Sequence, residues 1–172
     1  MAEGRPQRGG RRDGGERDFD QRILDLARVT RVTKGGKRMR FRAAVILGDR
    51  KGRVGFGVAK AGDVTASVAK ATTQAKKKMK NVTIYNETIP HEVRMKYGAA
   101  RVLLKPAPPG TGIKAGGAMR VIFELAGIPN IVGKILGSQN KINNTVATLL
   151  ALDELRLPKP KKKAAAEAEA KL

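Results

Sequence analysis

The chain has 172 residues, and its 36 Lys and Arg outnumber its 15 Asp and Glu, which gives a formal net charge of +21. The apolar fraction of 41% is sufficient for a core, whereas aromatic residues make up only 3% and cysteine is absent. The absence of cysteine excludes disulfides, thiolate catalysis and cysteine-ligated zinc. No apolar run approaches the roughly 20 residues that span a bilayer, and the polar N-terminus is unlike a signal peptide. We therefore expect a soluble intracellular protein that does not associate with membranes.

The positive charge is concentrated in the first half of the chain. Residues 19–80 carry 17 basic and 4 acidic side chains, and residues 81–158 carry 9 and 5. Such a segment repels itself unless anions lie beside it, although a merely soluble basic surface is the simpler alternative. Phosphates are the commonest such anions, and neutralising them releases condensed cations. Because aromatic side chains are so few, we expect phosphate and 2′-hydroxyl contacts to folded, largely duplex RNA, and not base stacking on single strands.

Composition and periodicity predict an α+β fold in which two structured units lie between two tails. Residues 1–18 form an Arg/Gly-rich tail, and residues 159–172 form a charged tail. The first unit covers residues 19–82, and the second covers residues 83–158. We expect the tails to be disordered or, in the alanine-rich C-terminal one, partly helical.

The first unit is predicted to be a small sheet covered by one helix. Ile23–Thr33 begins it as a strand, and Lys34–Lys37 forms a glycine turn. Met39–Leu47 and Arg53–Ala59 alternate apolar and polar residues and form the next hairpin. A helix capped by Asp63 follows, with apolar residues at helical spacing.

The alternation in this hairpin also predicts which side chains are buried. The core face of the first strand is expected to contain Met39, Phe41, Ala43, Val45 and Leu47. In the second strand, Val54, Phe56 and Val58 are expected to join that core, while Gly55 and Gly57 face solvent. Two bare glycines beside exposed arginines would let a sugar-phosphate backbone approach the sheet.

The second unit mixes shorter strands with two helices. One helix around Met119–Ala126 is stopped by Gly127, and a last amphipathic helix carries Ile142, Val146, Leu149 and Leu150 on one side. The predicted strands are Val82–Asn86 and Thr88–Lys96, joined by a turn at Asn86-Glu87, then Ala100–Lys105 and Ile131–Leu136.

Two features suggest enzymatic chemistry, and both are weak. His91 is the only histidine and has no cysteine or carboxylate cluster near it in sequence. The glycine-rich loop Pro109–Ala118 opens a helix and so offers backbone N–H groups to a phosphate. No acid stands near this loop to hold Mg²⁺, since Glu124 is already inside the helix. Packing or RNA contact is favoured over a phosphate-transferring enzyme, which remains the alternative from another class.

The basic positions near the predicted turns and hairpin are better candidates for function. Arg40, Arg42 and Arg53 are expected on one solvent face, and the lysines of the glycine turn reach outward. A free duplex-RNA chaperone fits the same features as a fixed RNA-bound protein. The candidate RNA-binding residues are Arg31, Lys34, Gly35, Gly36, Lys37, Arg40, Arg42, Arg53, Gly55, Gly57, Lys60, Lys76 and Lys77.

Long motifs within these segments resemble the bacterial small-subunit ribosomal protein five family. Gly36–Lys60 (GKRMRFRAAVILGDRKGRVGFGVAK) resembles the signature of its N-terminal half. Leu104–Gly127 (LKPAPPGTGIKAGGAMRVIFELAG) and Gly137–Ile142 (GSQNKI) resemble its C-terminal half. The resemblance covers about residues 19–157 in order. It departs at Asn143–Thr145, where the family usually carries an apolar pair.

This resemblance implies an N-terminal domain like the double-stranded-RNA-binding fold and a C-terminal α/β domain related to small-molecule kinases, by fold analogy alone. It implies a cytoplasmic, non-enzymatic constituent of the small ribosomal subunit without a cofactor. Such a protein binds small-subunit ribosomal RNA near the decoding region, lines the messenger RNA entry side, and supports subunit assembly and translational accuracy.

Specific contacts are implied by motif as well. Family members contact small-subunit ribosomal proteins four and eight. The Lys34–Lys37 loop matches the family loop associated with spectinomycin sensitivity. Gly112 and Arg120 fall in the region associated with the protein-four interface and with fidelity.

Overall fold

A computed structural model describes residues 19–158, and the two predicted tails lie outside the described residues. Within residues 19–158 the fold is α+β, with two four-stranded sheets and three helices. In chain order the elements are β1 (Asp20–Thr33), β2 (Gly36–Gly48), β3 (Arg53–Ala61), α1 (Val64–Lys77), β4 (Lys80–Asn81), β5 (Val93–Tyr97), β6 (Ala100–Pro106), β7 (Ile113–Lys114), α2 (Gly117–Ala126), β8 (Ile131–Ile135) and α3 (Lys141–Asp153).

The first sheet is antiparallel in the order β1-β2-β3-β4, and α1 packs on one of its faces. The Asp63 carboxylate accepts the Val64 N–H and so caps α1, as the sequence predicts. Ala71 and Ala75 of α1 pack on Ala43, Val45 and Leu47. We call this side of the sheet the helix face.

The opposite side of the first sheet is buried as well, which the sequence analysis did not predict. Gly48 pairs with Val54, so Ile46 lies opposite Phe56 and Ala44 lies opposite Val58. These residues pack into a core shared with the second sheet and its helices. The prediction that Val54, Phe56 and Val58 lie on the same face as Val45 is therefore wrong. A register offset of one residue exchanges the two faces of a strand. We call this second side the junction face.

β1 and β2 extend well beyond the rest of the first sheet as a two-stranded hairpin. The last pair between β2 and β3 joins Phe41 and Ala61, whereas β1 and β2 remain paired as far as Thr33 and Gly36. At roughly 3.3 Å per residue, the hairpin projects about 17 Å past β3. Met39 is 52% exposed there, so its predicted core position is wrong, because α1 does not reach that far.

The second sheet has the order β5-β6-β8-β7, with only β7 and β8 parallel. The predicted long strands from Val82 to Lys96 are wrong over most of that length, because only Val93–Tyr97 forms a paired strand. The predicted turn at Asn86-Glu87 is confirmed, since both residues have a positive φ and Tyr85 bridges to Thr88. Gly127 ends α2 in the left-handed conformation, again as predicted.

The two sheets are joined by backbone contacts at the β2–β3 turn. The Arg50 N–H donates to the Leu125 carbonyl at 3.0 Å, and the Gly52 N–H donates to the Ala126 carbonyl at 2.9 Å. These bonds satisfy carbonyl groups at the C-terminal end of α2 that have no partner inside the helix. A Cβ on Gly127 would collide with the Arg50 backbone, so the turn packs closely against the helix end.

The last helix turns a different side to the core from the predicted one. The fully buried positions of α3 include Thr145, Ala147, Thr148 and Ala151. The buried threonine hydroxyls donate to carbonyls one turn earlier in α3, which permits their burial. The predicted apolar stripe that begins at Ile142 is only partly buried and lies at the edge of the shared core.

Candidate nucleic-acid interface

The projecting hairpin forms a basic groove on its junction side. We define the basic groove, of about 460 Å³, by Arg31, Arg38, Arg40 and Lys60, which line it together with Val29, Thr30 and Thr33. β1, β2 and the end of β3 each supply at least one of the four cationic side chains. The fold thus brings together three residues that the sequence analysis names as RNA candidates, namely Arg31, Arg40 and Lys60.

The electrostatics of the basic groove favour an anion between its walls. Arg31 lies directly opposite Arg38 in the β1–β2 register, and such a like-charge pair destabilises a hairpin. Lys60 adds a third charge next to β2, opposite Arg42. Among the described residues, no carboxylate lines this groove. Phosphate oxygens would relieve this repulsion and accept several N–H donors at once.

Arg38 is part of the groove, but the sequence analysis did not name it. The signal was available, because side chains two residues apart lie on the same side of a strand. Arg38 and Arg40 therefore share a face, and Arg38 is the cross-strand partner of Arg31. The pairing register was needed to show that these three charges converge.

The turn at the tip of the hairpin is not covered by any other part of residues 19–158. Lys34 and Gly35 form the turn, and a Cβ at Gly35 or Gly36 would meet no atom of the described residues within 4 Å. Gly36 has φ +129°, a backbone conformation that is unfavourable for residues with a side chain. Lys34 and Lys37 are both exposed at this tip. The turn is thus a bare, positively charged end that a groove in RNA could admit.

Arg40, Arg42 and Arg53 do not share one solvent face, which corrects the sequence expectation. Arg42 lies partly buried where the hairpin meets the core, with its Nη2 3.2 Å from Asp25 Oδ2. Arg53 lies at the other end of the sheet, where its Nε is 2.6 Å from Asp49 Oδ2. Of the three, only Arg40 contributes to the basic groove.

Asp49 holds Arg53 in place and organises the turn that joins the two sheets. Its side chain is only 6% exposed. Burial raises the pKa of Asp49, but hydrogen bonds from the Lys51 N–H and from Arg53 outweigh that effect, so the pKa lies below its ordinary value. Asp49 is therefore ionised at neutral pH, and Arg53 serves this turn.

Gly55 and Gly57 do not form an approach surface for RNA, so that prediction is wrong. Both are buried on the helix face beneath α1. A Cβ at Gly55 would collide with the Ala75 carbonyl, and one at Gly57 would collide with the Ala71 carbonyl. The glycines are bare because the helix packs directly on the strand backbone, so α1 covers this face of β3.

Lys76 and Lys77 are exposed but lie far from the basic groove. α1 starts near the hairpin side of the sheet and runs back, since Ala71 lies over Gly57 and Ala75 over Gly55. The two lysines occupy its last turn, at the opposite end and on the helix face. Cations there also stabilise the helix dipole. They form a second basic region, separate from the groove.

Sequence comparisons identify the family. The chain matches the model of "Ribosomal protein S5, N-terminal domain" over residues 19–83 and that of "Ribosomal protein S5, C-terminal domain" over residues 95–167. It belongs to the ribosomal protein S5 family. It is 49% identical over 142 residues to the small ribosomal subunit protein uS5 of Thermotoga neapolitana, covering 83% of this chain and 80% of the relative.

Two further relatives are also named as small ribosomal subunit proteins. The small ribosomal subunit protein uS5 of Dehalococcoides mccartyi (strain ATCC BAA-2266 / KCTC 15142 / 195) is 47% identical over 147 residues, which cover 86% of each chain. The uS5c of Spinacia oleracea is 49% identical over 146 residues, which cover 84% of this chain and 46% of the spinach protein. The chain thus spans less than half of the spinach relative and most of the bacterial ones.

In this S5 family member, the glycine-rich loop before α2 is held by a buried asparagine. The Gly112 N–H donates to Asn130 Oδ1 at 3.0 Å, and the Gly112 carbonyl accepts from the Ile131 N–H at 3.1 Å. Gly112 has φ +71°, and Asn130 is 5% exposed. Arg120 is 61% exposed on α2 and pairs with Glu124 at 3.0 Å. Gly112 therefore has a structural role in this loop.

His91 tethers the C-terminal end of the described chain. Its Nδ1 is 3.0 Å from the Glu92 carbonyl, and its Nε2 accepts the Arg156 N–H at 3.2 Å.

No helix within residues 19–158 is both long and apolar enough to cross a membrane. In the same residues, no three side chains of the metal-ligating acidic, histidine or cysteine types cluster together.

Proposed function

We propose that the chain is a structural constituent of the small ribosomal subunit and that its basic groove binds ribosomal RNA. The observation that carries the RNA-binding role is the convergence of Arg31, Arg38, Arg40 and Lys60 on one projecting hairpin. Membership of the S5 family supports the location, since the relatives are named as small ribosomal subunit proteins. The chain therefore serves translation in the cytoplasm as part of the subunit, and it carries out no catalysis of its own.

The finer assignments are part of the same proposal. The first sheet with α1 corresponds to a double-stranded-RNA-binding type of domain, over residues 19–82. The second sheet with α2 and α3 corresponds to the kinase-related α/β type, over residues 83–158. An antiparallel sheet with a helix on one face supports the first of these assignments. The parallel β7–β8 pair next to α2 supports the second.

The proposed partners are those that the resemblance to the family implies. The RNA site lies near the decoding region, and the Lys34–Lys37 turn inserts into it. Gly112 and Arg120 contribute to an interface with small-subunit protein four, and protein eight is a further neighbour. The chain lines the messenger RNA entry side and supports assembly and accuracy. Support comes from the exposure of the turn and of Arg120, which leaves both available for contact.

A pair of matched double variants tests the RNA site. Arg38→Ala with Arg40→Ala removes two charges from the basic groove, and Lys76→Ala with Lys77→Ala removes two charges from the distant region. We expect the groove variant to reduce the salt dependence of binding to small-subunit RNA by up to about 1.8 slope units, at about 0.9 per phosphate contact. The lysine variant should change the slope less. Filter binding between 50 and 200 mM salt measures both slopes.

Equal slopes for the groove variant and the wild type would remove the groove from the RNA interface. Equal losses in the two variants would show that binding follows total charge alone. Sedimentation of small subunits in stringent salt then separates a fixed constituent from a free RNA chaperone. The constituent stays bound to the subunit, and the chaperone is released.

A further inference from the structure

Asp25 lies at the base of the projecting hairpin, next to a β-bulge in β1. Ile23 pairs with Val45 on β2. The next pair joins Asp25 to Ala44, so Leu24 is the extra residue of the bulge. Ala44 belongs to the junction face, and directly opposed residues share a face. Bulges re-aim side chains in this way, and without the bulge Asp25 would fall on the helix face.

The Asp25 carboxylate connects the base of the hairpin to the last helix. Its Oδ2 accepts from Arg42 Nη2 of β2 at 3.2 Å, and its Oδ1 lies 3.5 Å from Lys141 Nζ in the first turn of α3. The start of α3 is itself held in place, because Asn140 Oδ1 accepts the Ile142 N–H at 3.0 Å and caps the helix. Asp25 therefore ties both strands of the hairpin to a fixed helix end in the second unit.

Arg42 depends on this carboxylate. Within residues 19–158, Asp25 is the one acceptor for the Arg42 guanidinium, and the Nε of that group is buried without a partner. The Arg42 side chain is only 31% exposed. A cation that loses its counter-ion in a partly buried position costs more free energy than an exposed cation does. Removal of the Asp25 carboxylate would therefore displace Arg42 from the base of the hairpin.

The contact lies at the inner end of the basic groove. Arg40 and Arg42 are two residues apart on the junction face, and Lys60 of the groove is the cross-strand partner of Arg42. On the tip side of Phe41, β2 has no strand partner other than β1 within the described residues. The direction of the hairpin therefore depends on what holds its base, and Asp25 supplies the ion pairs there.

We propose that Asp25 is a positioning residue for the basic groove. By tying Arg42 to α3, its carboxylate holds the base of the hairpin and fixes the direction in which the groove faces. RNA then meets cations that are already oriented, and binding does not have to order the hairpin. Asp25 itself contacts no RNA in this role. The inference rests on the proposed binding of RNA by the groove.

The sign of one substitution separates positioning from simple electrostatics. Asp25→Asn removes a negative charge beside the groove and raises the formal net charge from +21 to +22. Coulomb attraction alone predicts that RNA then binds more tightly. Positioning predicts weaker binding, because the RNA must order a hairpin that has lost its hold. Asp25→Glu keeps a carboxylate and is the conservative variant.

Asp153→Asn is the matched control for the charge. It also raises the net charge by one, and it also breaks an ion pair between α3 and the first sheet, namely the one with Lys80 of β4. Lys141 and Asp153 are the first and last residues of α3, so the two ion pairs lie about 18 Å apart. This control therefore leaves the base of the hairpin intact.

Residual dipolar couplings of the full chain test the hairpin without RNA. We expect the order parameter derived from the backbone amides of Arg31, Gly35 and Arg38 to fall from about 0.85 to below about 0.6 in Asp25→Asn. The amides of the rest of the first sheet should keep their wild-type values. Asp25→Glu and Asp153→Asn should show no such change. Wild-type couplings throughout the hairpin of Asp25→Asn would overturn the proposal.

Filter binding to small-subunit RNA completes the test. We expect Asp25→Asn to bind about fivefold more weakly than the wild type, and Asp25→Glu and Asp153→Asn to bind within about twofold of it. The salt slope of Asp25→Asn should equal that of the wild type, because all four cations of the groove remain.

Two results of the binding assay would overturn the proposal. An affinity of Asp25→Asn equal to or above that of the wild type would show that charge alone decides. A reduced salt slope would show that the groove is lost and not merely misdirected. If the groove variant with Arg38→Ala and Arg40→Ala binds RNA like the wild type, the proposed function fails, whereas the couplings still decide whether Asp25 holds the hairpin.

Discussion

Gly57 lies where α1 packs directly on the sheet, and Gly57→Ala tests that packing. The added Cβ would lie 2.8 Å from Ala75 N and closer still to the Ala71 carbonyl, which is nearer than real Cβ atoms approach. The helix would therefore have to move away by about 1 Å. Such a gap forfeits roughly a quarter to a half of each van der Waals contact that is stretched. The stretched contacts are those of Ala71 and Ala75 with Val45 and Leu47.

We expect Gly57→Ala to lower the free energy of unfolding by about 3 kcal/mol, at the upper end of overpacking effects. A chain of this size loses roughly 2–4 °C in Tm per kcal/mol, so the Tm should fall by about 6–12 °C. Gly35→Ala at the open hairpin tip is the control, and its effect should stay within about 0.5 kcal/mol. Thermal unfolding followed by circular dichroism measures both variants.

RNA binding, measured at a temperature where Gly57→Ala is folded, completes the test. The buried glycine contacts no RNA in this arrangement, so the folded variant should bind small-subunit RNA like the wild type. A variant with an unchanged Tm and a reduced RNA affinity would refute the packing argument. It would also restore the bare strand as an approach surface.

Three further predictions concern the junction between the sheets and the surface. Asp49→Asn should lower the free energy of unfolding by about 1.5 kcal/mol above pH 4, because it weakens the bond to Arg53. The pKa of Asp49 in the folded chain lies below its ordinary value of 3.8, so the difference in unfolding free energy between variant and wild type, measured in urea, should shrink as the pH falls below 4. A constant difference down to pH 2 would contradict this. Gly127 has φ +77°, and Gly127→Ala adds a Cβ that collides with the Arg50 backbone, so the Tm should fall by at least as much as that of Gly57→Ala. A Tm equal to that of the wild type would show that the turn adapts freely. Asp153→Asn breaks the ion pair between Asp153 and Lys80 at the surface and should change the unfolding free energy by less than about 1 kcal/mol in urea titrations. A larger loss would mean that solvent screening does not govern this pair.

Local patterns in the sequence predicted most of the elements that the structure contains. Alternation identified the strands of the hairpin, Asp63 marked the start of α1, and Gly127 marked the end of α2. These signals depend on a few neighbouring residues and on backbone preferences. The long strands expected between Val82 and Lys96 failed, because most of that segment has no neighbouring strand to pair with.

The candidate site was predictable in its chemistry and only partly in its geometry. The excess of basic residues and the glycine turn indicated an anionic partner, and Arg31, Arg40 and Lys60 were among the named positions. Which arginines converge was not predictable from spacing alone. Arg53 belongs to the turn that joins the sheets, and Arg38 enters the groove through its pairing with Arg31.

By itself, the sequence determined the kinds of element, their order and the sign of the charge, because periodicity, caps and composition are properties of short segments. Only the tertiary structure decided which faces are buried. The register across the β2–β3 turn places Gly57 opposite Val45 and under α1, and the second sheet covers the face that alternation alone would leave to solvent. Side-chain alternation defines two faces of a strand, but burial depends on what packs against each face, and that is set by contacts between residues far apart in the chain.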